Sequence, residues 1–181
     1  MGRAVIDELL ATGYTVTCLA LSDEAAAALT AKGVKVLGGS FRDFEIVKQR
    51  ASKADGVIKL ALNPVFSKYA QNCIDEKETI EAIGSLLVGT NKPLATTFGT
   101  LVLSHGKIGA QDKVSGYEQP MNKRAQNGKV ISGLAEQNMC ACVIRLSPTV
   151  HGDEDHAFIE QLTVLACSQH HAIYIDGGLS R

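Results

Sequence analysis

Near the start of the chain Val5, Ile6, Leu9 and Leu10 recur at helical spacing, which predicts a short helix with one apolar face, stopped by Gly13. Residues 14–21 follow as a buried strand rich in β-branched side chains. Ser22 is the expected N-cap of a helix through the alanine run 25–28, ending near Gly33. Residues 34–37 form a short strand closed by Gly38 and Gly39, and Asp43 opens a helix whose apolar face holds Phe44, Val47 and Ala51. A further strand at 56–61 is apolar except for Lys59; Asn63 and Pro64 then turn the chain into a long helix over 66–87, ended by Gly89. Pro93 precedes a strand at 94–97. Residues 99–121 show no period, and long irregular connections in compact domains tend to carry function. A helix at 122–137, weakened by Gly128 and Gly133, leads into a strand at 141–146, a loop after Pro148, a helix over 158–167 and a short strand at 172–175. Helices alternating with strands that are apolar throughout predict an α/β domain with a parallel sheet covered on both faces.

Composition narrows the functional classes. A chain of 181 residues suits one domain with a sizeable core, here aliphatic because tryptophan is absent and aromatics are few. A formal net charge of −1 gives no electrostatic reason to expect nucleic acid or an anionic membrane as partner. No apolar run reaches the length of a membrane span, and no basic stretch precedes a hydrophobic one at the N-terminus. Together these predict a cytoplasmic protein. The five cysteines, Cys18, Cys73, Cys140, Cys142 and Cys167, read as buried thiols of a reducing compartment.

The donors at His151, Asp153, Glu154, Asp155 and His156 suggest a metal at first sight. They carry no recognised ligand spacing, and Cys140 with Cys142 supplies only two thiols, so no metal is expected. His151 remains the most reactive side chain of its loop, with a pKa range suited to proton transfer. The pair His170 and His171 falls at a helix C-terminus, where imidazole complements the dipole.

Four stretches resemble one family: VTCLALSDEAAAAL, DGVIKLA at 55–61, PLATTFGT at 93–100 and, most specifically, VIRLSPTVHG at 143–152. They are similar to the short-chain dehydrogenase/reductase superfamily, in its extended or atypical branch of NAD-dependent epimerases and dehydratases. The resemblance implies a doubly wound parallel sheet, the Rossmann-like NAD(P)-binding fold, with a dinucleotide at the carboxyl ends of the strands. The whole chain, 1–181, matches part of such a domain. The first strand and glycine-rich turn of the family lack counterparts, and the substrate region would continue beyond residue 181, so a chain truncated at both ends is expected. The absent strand would lie mid-sheet, leaving two inner edges unpaired or forcing rearranged pairing.

Position by position, the resemblance implies that Gly2 is the third glycine of the phosphate-binding turn. Leu21 and Ser22 occupy the ribose-selecting place, where neither distinguishes NAD from NADP. Ser40 lies near the adenine, and Leu60, Ala61 and Leu62 line the adenine and ribose side. Pro148 and Thr149 belong to a loop that closes over the nicotinamide. The superfamily's tyrosine and lysine, a general acid/base and its activator, fall on Arg124 and Gly128, which cannot replace them. Tyr117 is nearby but forms no Tyr-x-x-x-Lys. That leaves Thr97 and Thr100 to orient a substrate oxygen and His151 to move a proton. The implied activity is hydride transfer on a carbonyl or alcohol of a small-molecule substrate, with a homodimer as the assembly left open. The competing reading is an inactive remnant or regulatory binding protein on the same scaffold.

Overall fold

The computed structural model describes residues 1–62, 66–99, 123–147, 150, 152 and 158–172. The chain divides into two compact units, Met1–Leu146 and Ser147–Arg181.

The first unit opens with α1 (Gly2–Ala11), β1 (Thr17–Ala20), α2 (Asp23–Ala31) and β2 (Lys35–Gly38). Gly13 ends α1 as the sequence predicts: at φ +87° it lets its own N–H reach the Leu10 carbonyl and that of Tyr14 the Leu9 carbonyl. This pair of hydrogen bonds engages Tyr14, so β1 starts three residues later than its apolar run. Ser22 caps α2 through its hydroxyl, which accepts the Ala25 N–H at 3.2 Å. Strands β1 and β2 pair in parallel, Thr17 with Lys35 through Ala20 with Gly38.

Next come α3 (Phe44–Lys53), β3 (Val57–Lys59), a 3-10 turn at Phe66–Lys68, α4 (Tyr69–Leu87), β4 (Leu94–Gly99), α5 (Lys123–Glu136) and β5 (Ala141–Leu146). Asp43 precedes α3 but does not cap it. Its carboxylate accepts the Ser40 N–H instead, and Gly39, at φ +133°, is required there because a Cβ would lie 2.8 Å from Asp43 Oδ2. Strands β3, β4 and β5 form a second parallel sheet, ordered β3-β4-β5.

One face of this sheet carries Leu94 and Phe98, which join Ile80, Ile83 and Leu87 of α4 and Ile131 and Leu134 of α5 in the core. On the other face some apolar side chains stay accessible. Ile58 is 45% and Ile144 48% exposed, and Cys142, two residues before Ile144 in β5, is exposed too. The expectation for the thiols needs correction: Cys73 is buried, but Cys140, Cys142 and Cys167 are exposed. An apolar run records that a strand is compatible with cover on two faces, not how much of each side chain stays accessible.

The mid-sheet break takes the first of its two expected forms. Among the described residues β1 pairs only with β2, and β3 only with β4, so each keeps one edge without a ladder partner. The second unit contains α6 (Phe158–Gln169), and His170 follows at φ 56° as the sequence places it. The expected strand at 172–175 and most of the irregular stretch at 99–121 lie outside the described residues.

Candidate functional site at the strand ends

All the ladders are parallel, so within each sheet the carboxyl ends lie on one side. At the end of β1 stands Leu21, 81% exposed. Ser40 follows β2, and Leu60, Ala61 and Leu62 follow β3 beyond its last ladder pair.

Beside β3 and β4 lies a cluster of buried charge. Lys59, the last residue of β3, points to the α4 side and donates to Glu76 at 2.7 Å and to the Ala61 carbonyl at 2.9 Å. Glu76 also accepts from Arg124 of α5, Nε at 3.1 Å and Nη2 at 3.2 Å, and from Asn127 Nδ2 at 3.1 Å. Arg124 Nη2 further donates to the Thr97 carbonyl at 2.9 Å, and its guanidinium lies over the Phe98 ring at 5.1 Å. Lys59 and Glu76 are buried, and Arg124 is partly so. Four elements, β3, α4, β4 and α5, are thus joined through one carboxylate.

The protonation states follow from these contacts. Burial pushes the Glu76 carboxyl up, but Lys59 and Arg124 together outweigh it and hold it below its usual value. Burial pushes the Lys59 ammonium down, and the attraction of Glu76 does not fully restore it. Tyr69, hydrogen-bonded to Cys73 one turn along α4, is pushed up to about 12 by its burial and by that neighbour. A second contact set braces the turn after β2: Arg42 pairs with Asp75 of α4, which also accepts from Gln71 at 2.9 Å.

Several expected site residues can now be placed. Gly2 opens α1, where a Cβ would meet nothing within 4 Å. Ser22 is engaged as the α2 cap. Thr97 is buried in β4, and its carbonyl, already noted, holds Arg124. Thr100, Tyr117, Pro148, Thr149 and His151 lie outside the described residues. The two positions matched to the superfamily's tyrosine and lysine are both in α5: Arg124 is committed to Glu76, and Gly128 is buried.

Sequence reasoning missed Lys59, Glu76 and the partnership of Arg124. The signal was present: Lys59 is the one charge in an apolar strand, and a buried charge requires a partner. Glu76 also lies on the stripe of Cys73, Ile80, Ile83 and Leu87, the buried face of α4.

These positions fit part of a nicotinamide dinucleotide. The N-cap of α1, Met1, makes no side-chain cap hydrogen bond, and a helix N-terminus favours negative charge. The exposed Leu21 and the residues after β3 offer apolar surface of the kind an adenosine covers. Among the described residues no helix is long and apolar enough to cross a membrane.

No family model matches the chain. Curated relatives are an uncharacterized protein of Schizosaccharomyces pombe, 37% identical over 99% of this chain, and one of Saccharomyces cerevisiae, 36% identical over 98%. The chain spans 61% and 60% of their respective lengths. Among solved structures it is similar to the Bordetella bronchiseptica enzyme WbmH in complex with NAD+, at TM-score 0.65 and 16% identity, covering 94% of this chain and 60% of that one. It is also similar to a UDP-Glc/GlcNAc 4-epimerase of Campylobacter jejuni, at TM-score 0.57 and 13% identity, covering 80% and 49% of the two chains. A Burkholderia multivorans chain described as a putative short-chain dehydrogenase/reductase with bound NADP matches at TM-score 0.55 and 14% identity, over 94% of this chain and 88% of that one. The chain has an α/β, Rossmann-like fold, similar to that of these epimerase and short-chain dehydrogenase/reductase structures.

Proposed function

We propose that the chain is an NAD(P)-binding domain of the oxidoreductase type, serving hydride transfer on a carbonyl or alcohol of a small-molecule substrate. The observation that carries this reading is the apolar surface at the carboxyl ends of parallel strands, the exposed Leu21 after β1 and the partly exposed stretch Leu60, Ala61 and Leu62 after β3. In this reading the N-terminus of α1 at Gly2 faces the pyrophosphate, while Leu21, Ser22 and Ser40 flank the adenosine ribose. Leu60, Ala61 and Leu62 cover the adenine side, and Pro148 and Thr149 border the nicotinamide. The dinucleotide would supply or accept the hydride. Thr97 and Thr100 would orient the substrate oxygen, and His151 would move its proton. The cytoplasm is the compartment and a homodimer the assembly that go with this reading.

A second reading, a binding protein that keeps the scaffold without the chemistry, is favoured by one observation. Arg124 stands where the superfamily has its acid/base tyrosine, and it is tied to Glu76 rather than open to a substrate proton.

Fluorescence titration with NADH and NADPH separates these from no cofactor role at all. Saturable binding of either below millimolar concentration is expected; its absence for both removes the oxidoreductase reading. If turnover is then found with any carbonyl compound, His151→Ala should lower it while leaving cofactor affinity intact. Turnover unchanged in that variant takes His151 out of the chemistry.

A further inference from the structure

Among the described residues the buried cluster is not charge-balanced. Glu76 provides one negative charge, and the groups acting on it are Lys59 and Arg124, both cations. Lys59 is enclosed, and its recorded acceptors are Glu76 and the Ala61 carbonyl. Arg124 is the more open of the two. It spends Nε and Nη2 on Glu76 and on the Thr97 carbonyl, and its Nη1 has no acceptor among the described residues. Glu76 and the Phe98 ring fix the plane of the guanidinium, so its remaining donor edge is held in place before any ligand arrives. A surplus positive charge in a poorly solvated place is unfavourable until an anion or water meets it.

We propose that Arg124 is the receptor for an oxyanion group, a carboxylate or a phosphate, on the small molecule this domain binds, with Lys59 supplying the second positive charge behind Glu76. Taking that small molecule to be the substrate of the oxidoreductase rests on the function proposed above; the anion site itself does not. The oxyanion would accept from the fixed Nη1 edge, completing the hydrogen bonding of the guanidinium and balancing the cluster at two positive against two negative groups. A neutral analogue leaves both unmet, so the site discriminates by charge.

The test uses the full chain with arginine side chains labelled with 15N. Inorganic phosphate and acetate are titrated separately at constant ionic strength, with chloride as the control. The expected result is a saturable shift of the Arg124 side-chain signals by phosphate, acetate or both, and none by chloride. Stronger binding of phosphate points to a phosphorylated ligand, and stronger binding of acetate to a carboxylic acid. Arg124→Lys keeps the charge against Glu76, and circular dichroism checks that it folds. It should weaken binding by roughly tenfold, because an ammonium cannot hold Glu76 and an oxyanion in two fixed forks. No saturable shift, or equal binding by Arg124→Lys, overturns the proposal. NADH titration of the same sample separates the two readings. Anion binding without NADH binding keeps this site and removes the oxidoreductase; NADH binding without an anion shift does the reverse.

Discussion

Glu76 is the residue on which the largest single effect should fall. Its carboxylate satisfies Lys59, Arg124 and Asn127 at once. Glu76→Gln keeps the shape but leaves two cations facing each other, and it should cost about 3–5 kcal/mol in urea denaturation, the range for breaking a buried pair. The pH dependence follows in sign. The folded carboxyl sits below its ordinary value, so its stabilisation is complete above that value and is lost as pH falls through the depressed one. The acid limb of the wild-type stability profile should therefore flatten in Glu76→Gln; an unchanged limb would assign acid unfolding to other carboxylates. Thr96 offers the opposite case. Its hydroxyl is buried with no hydrogen-bond partner among the described residues. Thr96→Val should be neutral or stabilise by up to about 1 kcal/mol, since the desolvated hydroxyl returns nothing. A loss above about 1 kcal/mol would mean that the hydroxyl is satisfied after all. At this scale the sequence was informative about type and silent about contact. The lone charge of Lys59 was visible in its strand, but its partner Glu76 comes from a helix 17 positions away, which no local pattern connects.

The elements were far more legible. Alternating apolar runs located every described helix and strand, and β5 begins and ends where its pattern does. The differences have local causes: β1 is shortened by the hydrogen bonds that close α1, and β3 by the chain leaving the ladder after Lys59. Periodicity does not tell which glycine of a helix is a liability and which is needed. A Cβ on Gly84 of α4 would lie 2.5 Å from Leu134 Cδ1 and 2.8 Å from Cδ2, and Leu134 is itself buried in the core. A Cβ on Gly133 of α5 would meet nothing within 4 Å. Gly84→Ala should therefore destabilise by about 1–3 kcal/mol through overpacking, even after the gain in helix propensity. Gly133→Ala should stabilise by about 0.5–1 kcal/mol. Thermal unfolding of the two variants measures both, and a stable Gly84→Ala would show that α4 and α5 are not in close contact there.

For the molecule as a whole, the order of elements supplied the parallel α/β architecture, and the resemblance supplied the break between β1 and β3. The exposure of Ile58 and Ile144 did not follow, since a strand's apolarity does not say how much of each side chain stays accessible. Of the candidate site, the chain positions at the strand ends were legible through the resemblance. The charged cluster, which fixes what Arg124 can do, was not. The proposed function requires a dinucleotide at those strand ends. Hydrogen–deuterium exchange of the full chain with and without saturating NADH measures this most directly. Protection should appear at the N-terminus of α1 and around Leu21, Ser40 and residues 60–62, with little change along the outer surface of α4 and α5. Protection confined to that outer surface, or none at the strand ends under saturation, would contradict the account.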